Sequence, residues 1–163
     1  MFTISDTVNN TGSSPATLKA YGRLARYGEP EVAGIYVLHE GMIGLVGEET
    51  LDEIDYDDIQ DDKQITKAAT DSGWLGITDK YWAAVLVPGQ KFTGHYNYYS
   101  QNRPFYQTDF IAEPISVAAG GSATISNSLF AGAKKVDIID GYETQQNVKG
   151  LSYLIDWGWF YFL

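Results

Sequence analysis

The sequence predicts an all-β protein, an antiparallel β-sandwich with one short C-terminal helical segment. Three observations carry this. Apolar and polar residues alternate with a period of two over several short stretches, the mark of half-buried strands. Seventeen glycines and twelve tyrosines punctuate and fill strands better than they build helices. Only residues 131–145, AGAKKVDIIDGYETQ, have helical spacing, with Val136, Ile139 and Tyr142 at three-residue steps and Ile138 beside them; the short helix is expected near 133–142. Its opening lysines oppose the helix dipole.

The elements follow in chain order. Residues 2–8, FTISDTV, alternate Phe2, Ile4, Asp6 and Val8 with polar partners, and NNTGSS (9–14) supplies turn residues. Residues 17–28 place Leu18, Ala20, Gly22 and Leu24 on one face and Lys19, Tyr21 and Arg23 on the other, so a strand that pairs with the first through a hairpin is expected. GIYVLHE (34–40) reads as a further strand. The glycines at 41, 44 and 47 that follow match neither phosphate-cradling spacing, G-x-G-x-x-G or G-x-x-x-x-G-K-[ST].

Residues 48–62 hold nine of the 21 acidic residues, yet no glycine stands between Gly47 and Gly73, so the calcium-loop order is absent. A solvated edge strand whose like charges discourage further pairing fits better. Further on, a short strand leads to a turn at Asp71, Ser72 and Gly73, then a compact 74–77 segment. YWAAVLVP (81–88) is an apolar run too short for a normal helix and reads as a central strand ended by Pro88 and Gly89. In residues 91–100, Phe92, Gly94, Tyr96 and Tyr98 alternate with Thr93, His95, Asn97 and Tyr99. Residues 110–130 read as two strands about Gly120, Gly121 and Ser122, completing an antiparallel meander.

At 163 residues the chain has room for one cored domain. A formal charge of −10 repels phosphate backbones and argues against nucleic acid as a partner. With no cysteine there is no disulfide or thiolate chemistry. MFTISDTVNN lacks the basic start and apolar run of a secretory signal. No segment approaches the ~20 apolar residues that span a bilayer.

Candidate chemistry is sparse. His39 heads HEGMI without the second histidine of H-E-x-x-H, and His95 lies on the outward side of an alternating strand. Neither shows a nucleophile, metal or carboxylate partner in the sequence, so no catalytic, metal or cofactor site is expected. Asp109 and Glu113, four apart on one strand, share a face with no particular meaning for glycoside chemistry. Tyr96, Tyr98, Tyr99, Phe105, Tyr106 and Phe110 form an aromatic cluster that suits cross-strand packing. The first five are also the candidate partner surface.

Three blocks are more specific. SGWLGITDKYWAAVLVP (72–88), SLFAGAKKVDIIDGYE (128–143) and LIDWGWFYFL (154–163), in that order, resemble the latter part of the large periplasmic domain of YidC-type bacterial membrane protein insertases. The likeness extends more weakly through LKAYGRLARYG and GEETLDEIDYDDI. It implies a partial β-supersandwich of the galactose-mutarotase-like type, and a non-catalytic role on the periplasmic side of the bacterial inner membrane. The implied partners are nascent inner-membrane proteins and Sec translocon components including SecDF. Asp156, Trp157, Gly158 and Trp159 match the point where that family passes from the periplasmic domain to an amphipathic helix on the membrane surface. The resemblance thus implies an N-terminally truncated periplasmic domain over 1–155 and, in 156–163, the start of the helix that leads to a transmembrane core. Trp157, Trp159, Phe160, Tyr161, Phe162 and Leu163 are therefore the candidate membrane-interface residues. The mutarotase likeness also implies the rival reading, a sugar-binding or aldose-epimerase-like module.

Overall fold

The structure is a computed structural model that describes residues 1–28, 31, 39–47 and 50–155. Most of the strand expected at 34–40, and the whole of 156–163, lie outside the described residues. Twelve strands follow: β1 (Phe2–Asn9), β2 (Ala16–Leu18), β3 (Tyr21–Tyr27), β4 (Gly41–Val46), β5 (Asp52–Asp55), β6 (Gln64–Thr66), β7 (Gly73–Thr78), β8 (Trp82–Val87), β9 (Phe92–Tyr99), β10 (Phe105–Ala112), β11 (Ile115–Val117) and β12 (Ser122–Ala133). Helix α1 (Tyr56–Asp62) separates β5 from β6; α2 (Val136–Gln146) and a 3₁₀ turn (Leu151–Leu154) close the described chain.

All pairings are antiparallel. A six-stranded sheet has the order β1-β12-β8-β7-β4-β5, a four-stranded sheet the order β3-β10-β9-β6, and a ribbon pairs β11 with β2. One apolar cluster joins the sheets: Met42, Leu75 and Leu86 meet Phe92, Tyr96, Tyr106 and Phe110. A second lies on the far side of the six-stranded sheet, where Ile43, Leu45, Trp74, Val85 and Phe130 pack against Ile139, Leu151 and Leu154. The central strands of the larger sheet are thus buried on both faces. This is why β4, β7 and β8 read as nearly continuous apolar runs.

The sequence places β8, β9 and α2 well. The apolar run at 81–88 is central, flanked by β12 and β7. Helix α2 begins just past the lysines, with Lys135 at its N-cap position.

Other expectations are corrected. The 17–28 stretch is two strands, and neither pairs with β1. β3 pairs with β10 and β2 with β11, while β1 pairs with β12. The cause is packing: a Cβ on Gly22 would lie 2.4 Å from the Phe110 ring, so β3 fits closely against β10. β1 is tied to β12 by hydroxyl pairs, Ser5 with Ser126 at 2.8 Å and Thr7 with Thr124 at 2.9 Å. The turn after β1 is therefore no hairpin; Asn10 closes it by accepting the Gly12 N–H and bonding backbone at Gly121. The strands on either side of Gly120 do not pair with each other, and the simple meander gives way to a crossover that lays β12 between β1 and β8.

Residues 41–46 are a buried strand. Its Gly44 is a close approach, since a Cβ there would stand 2.1 Å from the Tyr96 hydroxyl. In the acidic stretch, Asp52–Asp55 is the expected edge strand, but residues 56–62 turn into α1, which buries Tyr56 and Ile59 one turn apart.

Candidate site on the outer face of the four-stranded sheet

Side chains alternate between faces along a strand, and the ladder registers align β3, β10, β9 and β6 into rows. On the outer face the first row is Tyr27, Phe105 and Tyr99. The second is Ala25, Gln107, Asn97 and Gln64, and the third is Arg23, Asp109, His95 and Thr66. An aromatic row thus borders an amide row, which borders a charged one.

The aromatic row is stacked. The Tyr99 and Phe105 ring centroids are 4.6 Å apart at 19°, and Tyr27 follows Phe105 at 5.2 Å, with the Arg103 guanidinium 5.4 Å from the Tyr27 centroid. In the other rows the centre is Asp109, only 5% exposed, with Asn97 and Gln107 buried beside it; among the described residues no further sheet packs on this face. Asp109 Oδ1 pairs with His95 Nδ1 at 2.9 Å, while Oδ2 accepts from Asn97 Nδ2 at 2.9 Å and Gln107 Nε2 at 2.7 Å. Gln64 donates to Asn97 Oδ1, Arg23 donates to Gln107 Oε1, and Gln107 also donates to the Tyr21 hydroxyl. Burial and then the Asp109 carboxylate raise the Tyr21 phenol above its ordinary range. An acid on an exposed sheet face is thereby buried with three donors, as a shielded charge requires.

The inner face of the same strands is core. Tyr96 and Tyr106 are fully buried, so they are not surface as they stand. Tyr96 donates to Asp52 at 3.3 Å, and Asp52 is also paired with Lys67 at 2.7 Å. Tyr106 lies edge-on to Tyr56 at 4.5 Å and accepts from Gln60. Burial pushes the Tyr56 phenol up to about 12, with the Arg26 guanidinium acting in the opposite direction. Tyr98 is half-buried against Tyr106. Of the five candidate partner-surface residues, Tyr99 and Phe105 stand on the outer face, and Tyr21 and Tyr27 join them there.

Both histidines have the carboxylate that sequence spacing did not reveal. His95 has Asp109. His39 Nδ1 lies 3.2 Å from Asp55 Oδ1 and its Nε2 is 2.9 Å from the Met42 carbonyl oxygen, which staples β4 to β5. Glu113 follows the end of β10 and is exposed. The alternation at 21/23/25/27 and 107/109 could have located the network; the cross-strand register that joins it could not. Among the described residues no three His, Asp or Glu side chains converge on a metal position.

The fold and this face define a β-sandwich domain with one helix-covered sheet and a second sheet whose outer side bears an aromatic-rimmed polar array. The chain belongs to the YidC periplasmic domain family, whose model matches residues 1–163. Similar proteins include "Membrane protein insertase YidC" of Brucella melitensis biotype 1, 50% identical over 166 residues, and the protein of that name from Mesorhizobium japonicum, 50% identical over 165. The Rhizobium johnstonii protein is 46% identical over 165 residues. Each match covers all of this chain and 27% of the relative, so the chain spans just over a quarter of their length.

Proposed function

We propose that this chain is the interaction part of a membrane protein insertase on the periplasmic side of the bacterial inner membrane, with a scaffold role and no catalysis. Its open sheet face contacts nascent inner-membrane proteins and Sec translocon components including SecDF. Trp157, Trp159, Phe160, Tyr161, Phe162 and Leu163 rest at the membrane interface. Family membership supports the insertase, and one observation supports the face: around Tyr27, Phe105 and Tyr99 the outer side carries stacked rings, with Tyr27 half exposed, the residue types that anchor protein interfaces. Photoreactive groups at Tyr99 and Tyr27 of the full insertase should crosslink to Sec components or substrate. Crosslinks confined to the acidic residues 48–62 would overturn this face.

A second reading, the sugar-binding or aldose-epimerase-like module, is favoured by the His95–Asp109 pair. With Nδ1 held by the carboxylate, Nε2 is the ring nitrogen left for proton exchange. Mutarotation of glucose or galactose at the uncatalysed rate supports the scaffold. Saturable turnover lost in Asp109→Asn supports the enzyme.

A further inference from the structure

We propose that the end of the six-stranded sheet formed by Lys80, Tyr81, Trp82, Lys134, Lys135 and Val136 docks on an anionic phospholipid surface. This reading rests on the placement of the domain beside the inner membrane, and it concerns a part of the molecule distinct from residues 157–163.

The residues form one patch. The β7–β8 turn is closed by the Asp79 N–H to the Trp82 carbonyl at 2.7 Å, and the Lys134 N–H donates to the Tyr81 carbonyl at 2.8 Å. Ala133 pairs with Trp82 across the ladder, so Lys134 and Lys135 follow directly beside the two aromatic residues, and Val136 opens α2. Lys134 Nζ lies 3.1 Å from the Thr78 hydroxyl, and Lys80 Nζ is 5.1 Å from the Tyr81 ring centroid.

Tyr81 is 64% exposed and Trp82 61%; Val136 is exposed as well. A turn that needed only to connect two strands would gain nothing from two large rings held in water. Three of the eight lysines of a chain with net charge −10 gather at this one end. Two nearby carboxylates are already engaged, Asp79 by the Arg26 guanidinium and Glu40 by the Lys80 N–H. Asp137 stands in the first turn of α2, next to Val136.

Tyrosine and tryptophan with lysines around them fit a headgroup layer, where the ring body sits among glycerol and upper acyl groups and the ammonium stays with phosphate. A protein partner fits less well, because lysine is depleted in the desolvated centres of protein interfaces. Each lysine near an anionic surface strengthens attachment about fivefold, and the attraction is screened by salt.

The test uses this chain with Trp157 and Trp159 replaced by Phe, so that residues 157–163 contribute no tryptophan signal and buried Trp74 gives a constant background. Vesicles containing phosphatidylglycerol should shift the Trp82 emission to the blue, and brominated acyl chains should quench it. Lys134→Gln with Lys135→Gln should weaken the response by about tenfold or more, with an unchanged circular dichroism spectrum. Vesicles of phosphatidylcholine alone should give little shift. An unmoved Trp82 emission, an equal response to both lipids, or the same shift with an acidic polypeptide and no lipid would each overturn the proposal. Because the tail tryptophans are absent, a negative result leaves the reading of residues 157–163 to its own measurement.

Discussion

The six-stranded sheet is covered on both faces, by the second sheet on one side and by α2 and the 3₁₀ turn on the other. Among the described residues the four-stranded sheet has another sheet packed on one face only. The two solve opposite problems with similar strands. Inside the larger sheet, stability comes from volume and close approach: Trp74 is fully buried, and Gly44 leaves the space that the Tyr96 hydroxyl occupies. On the open face it comes from mutual hydrogen bonding around one shielded carboxylate. A buried face constrains size, while an open face that is left polar constrains geometry.

The sharpest way to break this comparison is to remove volume from the doubly covered sheet. Trp74→Ala should cost about 3–5 kcal/mol in denaturant unfolding. It also deletes the indole hydrogen bond to the Lys149 carbonyl, which links β7 to the segment after α2. A cost no greater than that of an outer-face substitution would remove the distinction between the sheets.

Gly44→Ala tests close approach rather than volume. The added methyl meets the Tyr96 hydroxyl, so a loss of about 1–3 kcal/mol is expected. Tyr96→Phe in the same molecule should recover part of it, read as a positive coupling in a double-mutant cycle.

On the open face, Asp109→Ala should cost about 1–3 kcal/mol by leaving the Asn97 and Gln107 amides without their shared acceptor. Tyr99→Ala should stay below about 1 kcal/mol. If Asp109→Ala is neutral, the network is incidental to folding and the face is held by β-pairing alone.

A small, pH-dependent effect concerns what covers the larger sheet. Glu143 Oε1 accepts the Gly150 N–H at 3.0 Å and Oε2 the Ser152 N–H at 2.7 Å, tying α2 to the 3₁₀ turn. Burial alone would raise this carboxyl; the bonds from Ser152 and Gly150 outweigh it and hold the value below the usual 4.5. Its folded value is the depressed one, so its stabilisation is complete above pH 4.5 and fades as pH falls through the lower folded value. Glu143→Gln should therefore cost about 1 kcal/mol at neutral pH and progressively less in acid, measured as unfolding free energy against pH.

What the sequence disclosed follows the same division. Period-two alternation revealed β9 and the two faces of β3, and the apolar run revealed β8, because these signals are local to one strand. Gly41, Gly44 and Gly47 looked like punctuation, yet Gly44 sits inside a strand for the sake of a tyrosine from the other sheet. Helix α1 stayed hidden because its seven residues bury only Tyr56 and Ile59, too few for a period. For the candidate site, the aromatic residues and the outward His95 were legible one by one. The bond between His95 and Asp109 was not, since it depends on the β9–β10 register. The split of Tyr96 and Tyr106 from Tyr99 and Phe105 follows from the same pleat.

The pairing of β1 with β12 carries a further consequence, one of timing. Ser5 and Ser126, whose hydroxyls meet in the folded sheet, stand 121 residues apart. A ribosome adding ~5–20 residues per second delivers the second strand on the order of ten seconds after the first. Through that interval Phe2–Asn9 waits for β12, its ladder partner among the described residues, and Thr3, Ser5, Asp6 and Thr7 make it a poor template for foreign strands. The stretch made early is therefore the one zipped late. Closure of the larger sheet is a checkpoint that requires β12 to have been made, and a chain released before Ser122–Ala133 would present an open β8 edge to any quality-control protease.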